Sequence, residues 1–202
     1  MKKQYAAPIK WSENVIIADA DYIDKVAFNL IVNFERMIMR RIPPADMARW
    51  IDCVALDGGL REGANDTQVV LVYTKKKTAM ENFQPSNFDK ELNGKAFKDN
   101  LGEFTILGLP VEDIVKADDL FLDITEIICN AEEVKRIMII PNAEDDNLYN
   151  NIRRMLQRDS NSDNKRITVF TMEPRQGGNF RQEILGYSLM NALGIRSDEI
   201  IV

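Results

Sequence analysis

The sequence predicts a three-layer α/β domain: a mostly parallel six-stranded sheet with one antiparallel strand and helices on both faces. Three observations carry that expectation. Short β-branched runs alternate with helical spacings through residues 103–193. A long amphipathic segment follows the first apolar run and returns the chain across the sheet. The chain has 202 residues, 45% of them hydrophobic and 29% charged, which suffices for a full core in one domain over residues 1–202.

Residues 14–20, Asn-Val-Ile-Ile-Ala-Asp-Ala, read as a buried strand. Ile23, Val26, Ala27, Leu30, Ile31, Phe34, Met37 and Ile38 then mark one face of a helix, ended by Arg40-Arg41 and Pro43-Pro44. Pro44 opens a short helical turn, and residues 51–56, Ile-Asp-Cys-Val-Ala-Leu, are expected to form the second strand. A turn-rich loop from Asp57-Gly58-Gly59 leads to a third strand at 67–73. With no helix between them, these two strands are expected to pair antiparallel.

Residues 75–101 form an ordered excursion or flap, since so long a structureless loop is unusual within a domain. Ser86-Asn-Phe-Asp89 resembles a capping box opening a short helix that closes at Asn93-Gly94, and Phe83, Phe88, Leu92 and Phe97 can dock it. Strands at 103–107, 136–140 and 166–170 alternate with three helices. Those helices bear Leu120 to Ala131, Leu148 to Met155, and Phe180 to Leu193 on their apolar faces. The tail ending in Ile200-Ile-Val202 is apolar and is expected to dock on the sheet edge or on a second subunit.

Composition excludes several chemistries. The chain lacks histidine, which removes Ser-His-Asp and Cys-His catalysis within the chain, HExxH sites and His-bearing zinc sites. Net charge is -6, the wrong sign for a nucleic-acid partner, although a total says nothing of local patches. Cys53 and Cys129 lie in apolar stretches and read as buried reduced thiols. The basic Met1-Lys-Lys opening is followed by no apolar run, and no stretch approaches the roughly 20 residues that span a bilayer. A cytoplasmic chain without a membrane partner is expected. No GxGxxG or GxxxxGK[ST] occurs.

Open parallel sheets bind ligands at the carboxyl edge of their strands. Counting strand directions brings Asp19, Asp21, Asp57-Gly58-Gly59, Pro141-Asn142-Ala-Glu144-Asp145 and Glu173-Pro-Arg175-Gln-Gly177-Gly178-Asn179 to that edge. Asp19, Asp21 and Asp57 could jointly hold Mg²⁺ or Mn²⁺ through oxygen ligands. Gly177-Gly178 before a helix, with Arg175, would present amides and a guanidinium to an anion, and Asn142 would add a polar contact. Each residue also has a structural reading. Asp21, Asn142 and Asn179 suit helix caps, Asp57-Gly58 suits a turn, and Asp145-Asp146 suits the positive end of a helix.

The run Val15-Ile-Ile-Ala-Asp19-Ala-Asp21-Tyr-Ile-Asp24 resembles the first strand and helix cap of PIN-like metal-dependent nucleases. That resemblance implies a metal ligand at Asp19 or Asp21. The chain as a whole looks like one of the bacterial α/β families of unknown function. Three functions fit these readings. The first is a ligand-binding or regulatory protein with its site at the carboxyl edge. The second is a Mg²⁺- or Mn²⁺-dependent enzyme acting on a small phosphorylated substrate. The third is an assembly protein forming homo-oligomers through its apolar tail.

Overall fold

The computed structural model describes residues 9–158 and 164–200. The N-terminal residues read above for a leader, and Ile201-Val202 of the tail, lie outside them. Strand β1 (Asn14–Asp19) leads into α1 (Ala20–Ile38), and the two-residue β2 (Ala45–Asp46) into α2 (Met47–Asp57). After β3 (Asn65–Thr74), the excursion carries β4 (Phe83–Gln84), a helical turn over Phe88–Leu92, and β5 (Ala96–Asp99). Then follow β6 (Gly102–Val111), α3 (Ala117–Asn130), β7 (Arg136–Ile140), α4 (Asp146–Arg158), β8 (Arg166–Thr171), β9 (Arg181–Ile184) and α5 (Leu185–Ala192).

Among the described residues the sheet has seven strands in the order β5-β6-β3-β1-β7-β8-β9, one more than expected. All neighbours are parallel except β5 with β6. Period-2 alternation sends Ile16, Val69, Leu71, Met138 and Phe170 to one face, with α1, α2, α5 and the excursion. It sends Val15, Ile17, Val70, Ile137 and Val169 to the other, with Trp11, α3 and α4. Because both faces are covered, these strands read as continuous apolar runs. No helix among the described residues is long and apolar enough to cross a membrane.

Two elements differ from expectation. Residues 51–56 are helical, because Met47, Trp50, Ile51, Val54 and Ala55 are buried at helical spacing along α2. Asp46 caps that helix by accepting from Arg49 N–H at 3.1 Å. A window opening at Ile51 omits both the cap and the first turn. With a helix in the crossover, β3 runs parallel to β1, pairing Asn14 with Thr67. The antiparallel strand is instead β5, supplied by the excursion. The last expected helix is also split: residues 181–184 pair with the edge of β8, from Thr168↔Arg181 to Thr171↔Ile184. Tyr187 is therefore 71% exposed, while Leu185, Leu189 and Ala192 are buried. Cys129 is buried as read, but Cys53, on α2 rather than a strand, is half-buried.

The excursion is built into the first core face through Met80, Phe83, Phe88 and Leu92. Tyr73 and Phe88 stack with ring centroids 3.7 Å apart, and Trp50 meets Phe83 edge-on at 5.8 Å. The turn is capped one residue later than its sequence suggests. Asn87 accepts from Lys90 N–H at 2.9 Å, and Glu91 accepts from the amides of Ser86 and Asn87. Asp24, buried on α1, accepts from Glu81 N–H at 2.9 Å and Asn82 N–H at 2.8 Å. Asp24→Ala is therefore expected to cost about 3 kcal/mol, since both amides lose a charged acceptor. Urea unfolding checks this, and a loss below about 1 kcal/mol would show that the amides find other partners.

The described end of the tail docks on its own chain. Ile200 packs against the first core face, and Glu199 accepts from Arg40 at 2.7 and 2.8 Å beyond the end of α1.

Candidate functional site

The strand order places a topological switch point beside β1. The chain leaves β1 for β3 on one side and returns from β6 through α3 to β7 on the other. The covering helices therefore diverge at the carboxyl ends of β1 and β7, where open sheets of this kind form a crevice. Asp19 ends β1, and Pro141-Asn142 follow β7 at this point.

Asp19 caps α1, accepting from Tyr22 N–H at 2.9 Å. Burial pushes its carboxyl up to about 6 against the opposing pull of that amide, and the charges of Asp21 and Asp118 raise it further. Asp21 fastens α1 to the end of β3, accepting from the Thr74 amide at 2.9 Å and its hydroxyl at 2.5 Å. Lys77 lies 3.4 Å from its other oxygen. Asp118 is also raised, first by burial and then by the charge and shared hydrogen bond of Asp145. Asp145 in turn accepts from the amides of Asn147 and Leu148 at the start of α4.

Between the ends of β1, β7 and β8 lies a cavity of about 300 Å³, lined by Tyr22, Glu144, Thr171, Met172, Glu173 and Arg175 among others. The Tyr22 hydroxyl is buried and has no hydrogen-bond partner among the described residues. Its pKa is pushed up to about 12 by burial and by Glu144 and Asp19, with Arg175 pulling the other way, so it remains a neutral donor. Asn142 Oδ1 is likewise buried and unpartnered among the described residues. Glu144 pairs with Lys25 at 2.8 Å on the exposed rim, a contact that costs little to release.

Arg175 reaches this edge, but its guanidinium is engaged by Asp146 and lies 4.9 Å from the centre of the Tyr149 ring. Its backbone N–H donates to Gln182 at 3.1 Å, and the Tyr149 hydroxyl donates to Gln176 O at 2.6 Å. These contacts hold the loop after β8 against α4. Gly177 and Gly178 lead into β9 rather than a helix, so no helix end stands behind their amides. A Cβ on Gly178 would meet the Phe180 ring at 2.8 Å. The expected anion cradle of Arg175 with Gly177-Gly178 is therefore absent.

The expected metal trio is also separated. Asp57 ends α2, and the next residue, Gly58, accepts through its carbonyl from Arg136 Nη1 at 2.7 Å. Arg136 opens β7 and pairs with Asn14 at the start of β1. Asp57 thus belongs to the amino edge, beside Arg181 and Glu183, about 15 Å or more from Asp19 along six residues of strand. Among the described residues no group of three Cys, Asp or Glu side chains is arranged to hold a metal ion.

Sequence reasoning passed over Tyr22 and Asp118. Both had a signal: each lies in the first turn of a helix that follows a strand of the sheet, and such turns open at the carboxyl edge.

No curated protein matches the chain, no solved structure matches it, and nothing found names a PIN-like nuclease. The reading of the whole chain as one of the families of unknown function agrees with the family comparison, and the α/β class with the sheet and helices described above. Over residues 8–200 the chain matches the family of unknown function (DUF6621), and it belongs to that family.

Proposed function

We propose that this chain is a small-molecule-binding protein whose site is the crevice at the carboxyl ends of β1, β7 and β8. The carrying observation is the Tyr22 hydroxyl, buried without a partner among the described residues on the wall of a cavity of about 300 Å³. That is the lower end of the size range of ligand sites, and a buried donor without an acceptor costs about 1–3 kcal/mol until something fills it.

The ligand chemistry follows from the lining. Glu144 and Glu173 line the cavity with Asp19 and Asp118 nearby, while Arg175, the one lining cation among the described residues, is already paired with Asp146. A polar molecule offering an acceptor to Tyr22 and an amine to the carboxylates fits this edge. A phosphorylated molecule does not, because it would meet the same charge sign.

Tyr22→Phe tests both halves of the reading. Without ligand the variant should unfold no earlier than wild type and gain about 1 kcal/mol, since the unpaired hydroxyl is gone. In a thermal-shift panel of small amines, amino acids and polyols, a hit that raises the wild-type melting temperature should lose its effect in the variant. A Tyr22→Phe protein destabilised by more than about 1 kcal/mol would mean that the hydroxyl is already satisfied, and the reading would fall.

A further inference from the structure

The opposite edge of the sheet carries the opposite charge. Arg136, Arg166 and Arg181 are the first residues of β7, β8 and β9, three consecutive parallel neighbours. Arg136 and Arg166 are directly paired in register. Neighbouring strands are about 4.8 Å apart, so the register sets Arg136 beside Arg166, with Arg181 two residues further along, opposite Thr168. Arg61, from the loop after α2, lines a cleft of about 500 Å³ together with Arg136 and Arg166. An adjoining recess of about 610 Å³ shares Gly59, Arg61, Arg136 and Arg166 with it and adds Arg181.

Gly59 shows how closely the groups converge. A Cβ there would lie 2.7 Å from Arg136 Nη1 and 3.6 Å from Arg181 Nη1, and its φ of +88° already requires glycine. Arg136 Nη1 is held by Gly58 O, but its Nε is buried with no partner among the described residues. Burial holds the Arg136 guanidinium below its ordinary range, and Arg166, Arg61 and Arg181 each push it the same way, opposed by Glu13.

The acids at this edge take up Arg181 but pair with none of Arg136, Arg166 and Arg61 among the described residues. Glu13 is paired with Lys135 at 2.5 Å, Glu62 accepts from Asn100 at 2.8 Å, and Glu183 takes Arg181 at 3.1 Å. Asp57 stands near Glu183 and Arg181. Lys165 turns away to the carbonyls of Ala131 and Val134. Arg166 has no carboxylate partner among the described residues.

Gathering like charges in a chain of net charge -6 costs free energy that a bound anion would offset. Guanidinium groups match phosphoryl oxygens through paired N–H donors, so several of them favour more than one phosphoryl group. We propose that this cleft binds a small molecule carrying two or more phosphoryl groups, bridged by Arg136, Arg166 and Arg61. The concave shape and the acidic remainder of the surface favour a compact ligand over a nucleic-acid strand. The site is separate from the carboxyl-edge crevice and stands or falls independently of it.

Isothermal titration calorimetry of the whole chain at physiological ionic strength tests this, with inorganic tripolyphosphate, orthophosphate and a short single-stranded oligonucleotide as probes. Tripolyphosphate should bind one to one and at least about tenfold more tightly than orthophosphate. Arg166→Gln, at an exposed position, and Arg136→Gln should each weaken it about tenfold or more, equivalent to about 1.4 kcal/mol. Arg154→Gln, on α4 away from the cleft, should leave it unchanged. If Arg136→Gln fails to fold, Arg166→Gln carries the test alone. Absence of tripolyphosphate binding, or equal weakening by Arg154→Gln, would overturn the proposal. So would an oligonucleotide that binds more tightly than tripolyphosphate and loses its affinity in Arg166→Gln, which would assign the cleft to nucleic acid.

Discussion

Gly102→Ala is expected to destabilise the fold by about 3–5 kcal/mol. Gly102 opens β6 with φ +117° and pairs with Asn65 at the start of β3. A Cβ there would fall 2.1 Å from Asn65 O, 2.6 Å from its N and 2.8 Å from its C. These are backbone atoms, so the clash cannot be relieved by turning a side chain. It must part β3 from β6, which stay in register from Asn65↔Gly102 to Thr74↔Val111. Asn65 also donates to Arg61 O at 2.7 Å and to Leu101 O at 2.8 Å, so the disturbance reaches the amino-edge cleft. Urea unfolding measures the loss, and a change under about 1 kcal/mol would show that the two strands separate easily there.

The second large effect concerns pH. Asp19 is raised from 3.8 to about 6, chiefly by burial. The folded state therefore holds this proton more tightly than the unfolded chain does. The resulting stability is fully present below the unfolded value and is lost as pH rises through about 6. The difference between those two values corresponds to roughly 2–3 kcal/mol. Asp19→Asn keeps an acceptor for the Tyr22 amide and so preserves the cap, but it cannot ionise. The variant should match wild type near pH 4 and exceed it by roughly 2–3 kcal/mol above pH 7.

Asp52 is raised to about 7 in the same direction by burial and by a hydrogen bond shared with Asp99, so wild type and Asp19→Asn should both retain that slope. Only their difference reports Asp19. If chemical denaturation gave parallel stability profiles for the two proteins across that window, the Asp19 carboxyl would be ionised in the fold as it is in water.

Local pattern was enough for much of the fold. The spacing from Ile23 to Ile38 located α1, and the β-branched runs located β1, β7 and β8 almost to the residue. It was also enough to bring Asp19, Asp21, Asn142 and Arg175 to the carboxyl edge. It misled where two periods compete. Residues 51–56 satisfy a strand when taken alone and a helix once Met47 and Trp50 are included. Residues 181–184 continue a helical spacing but gain more by pairing with the open edge of β8. The first of these errors reversed the direction of β3 and moved Asp57 to the wrong edge, dissolving the supposed metal trio.

Arg136 and Arg166 are visible in the sequence as the first letters of two apolar runs, and Arg181 opens a polar one. Nothing local says that these runs lie side by side. Sequence by itself determined which segments are buried and with what period, because burial along a strand or helix face is set by nearest neighbours in the chain. Only the tertiary structure decided which ends meet, because strand order and the parity of crossovers depend on contacts between residues far apart in sequence. That long-range decision gives this protein an acidic crevice at one edge of its sheet and an arginine-lined cleft at the other.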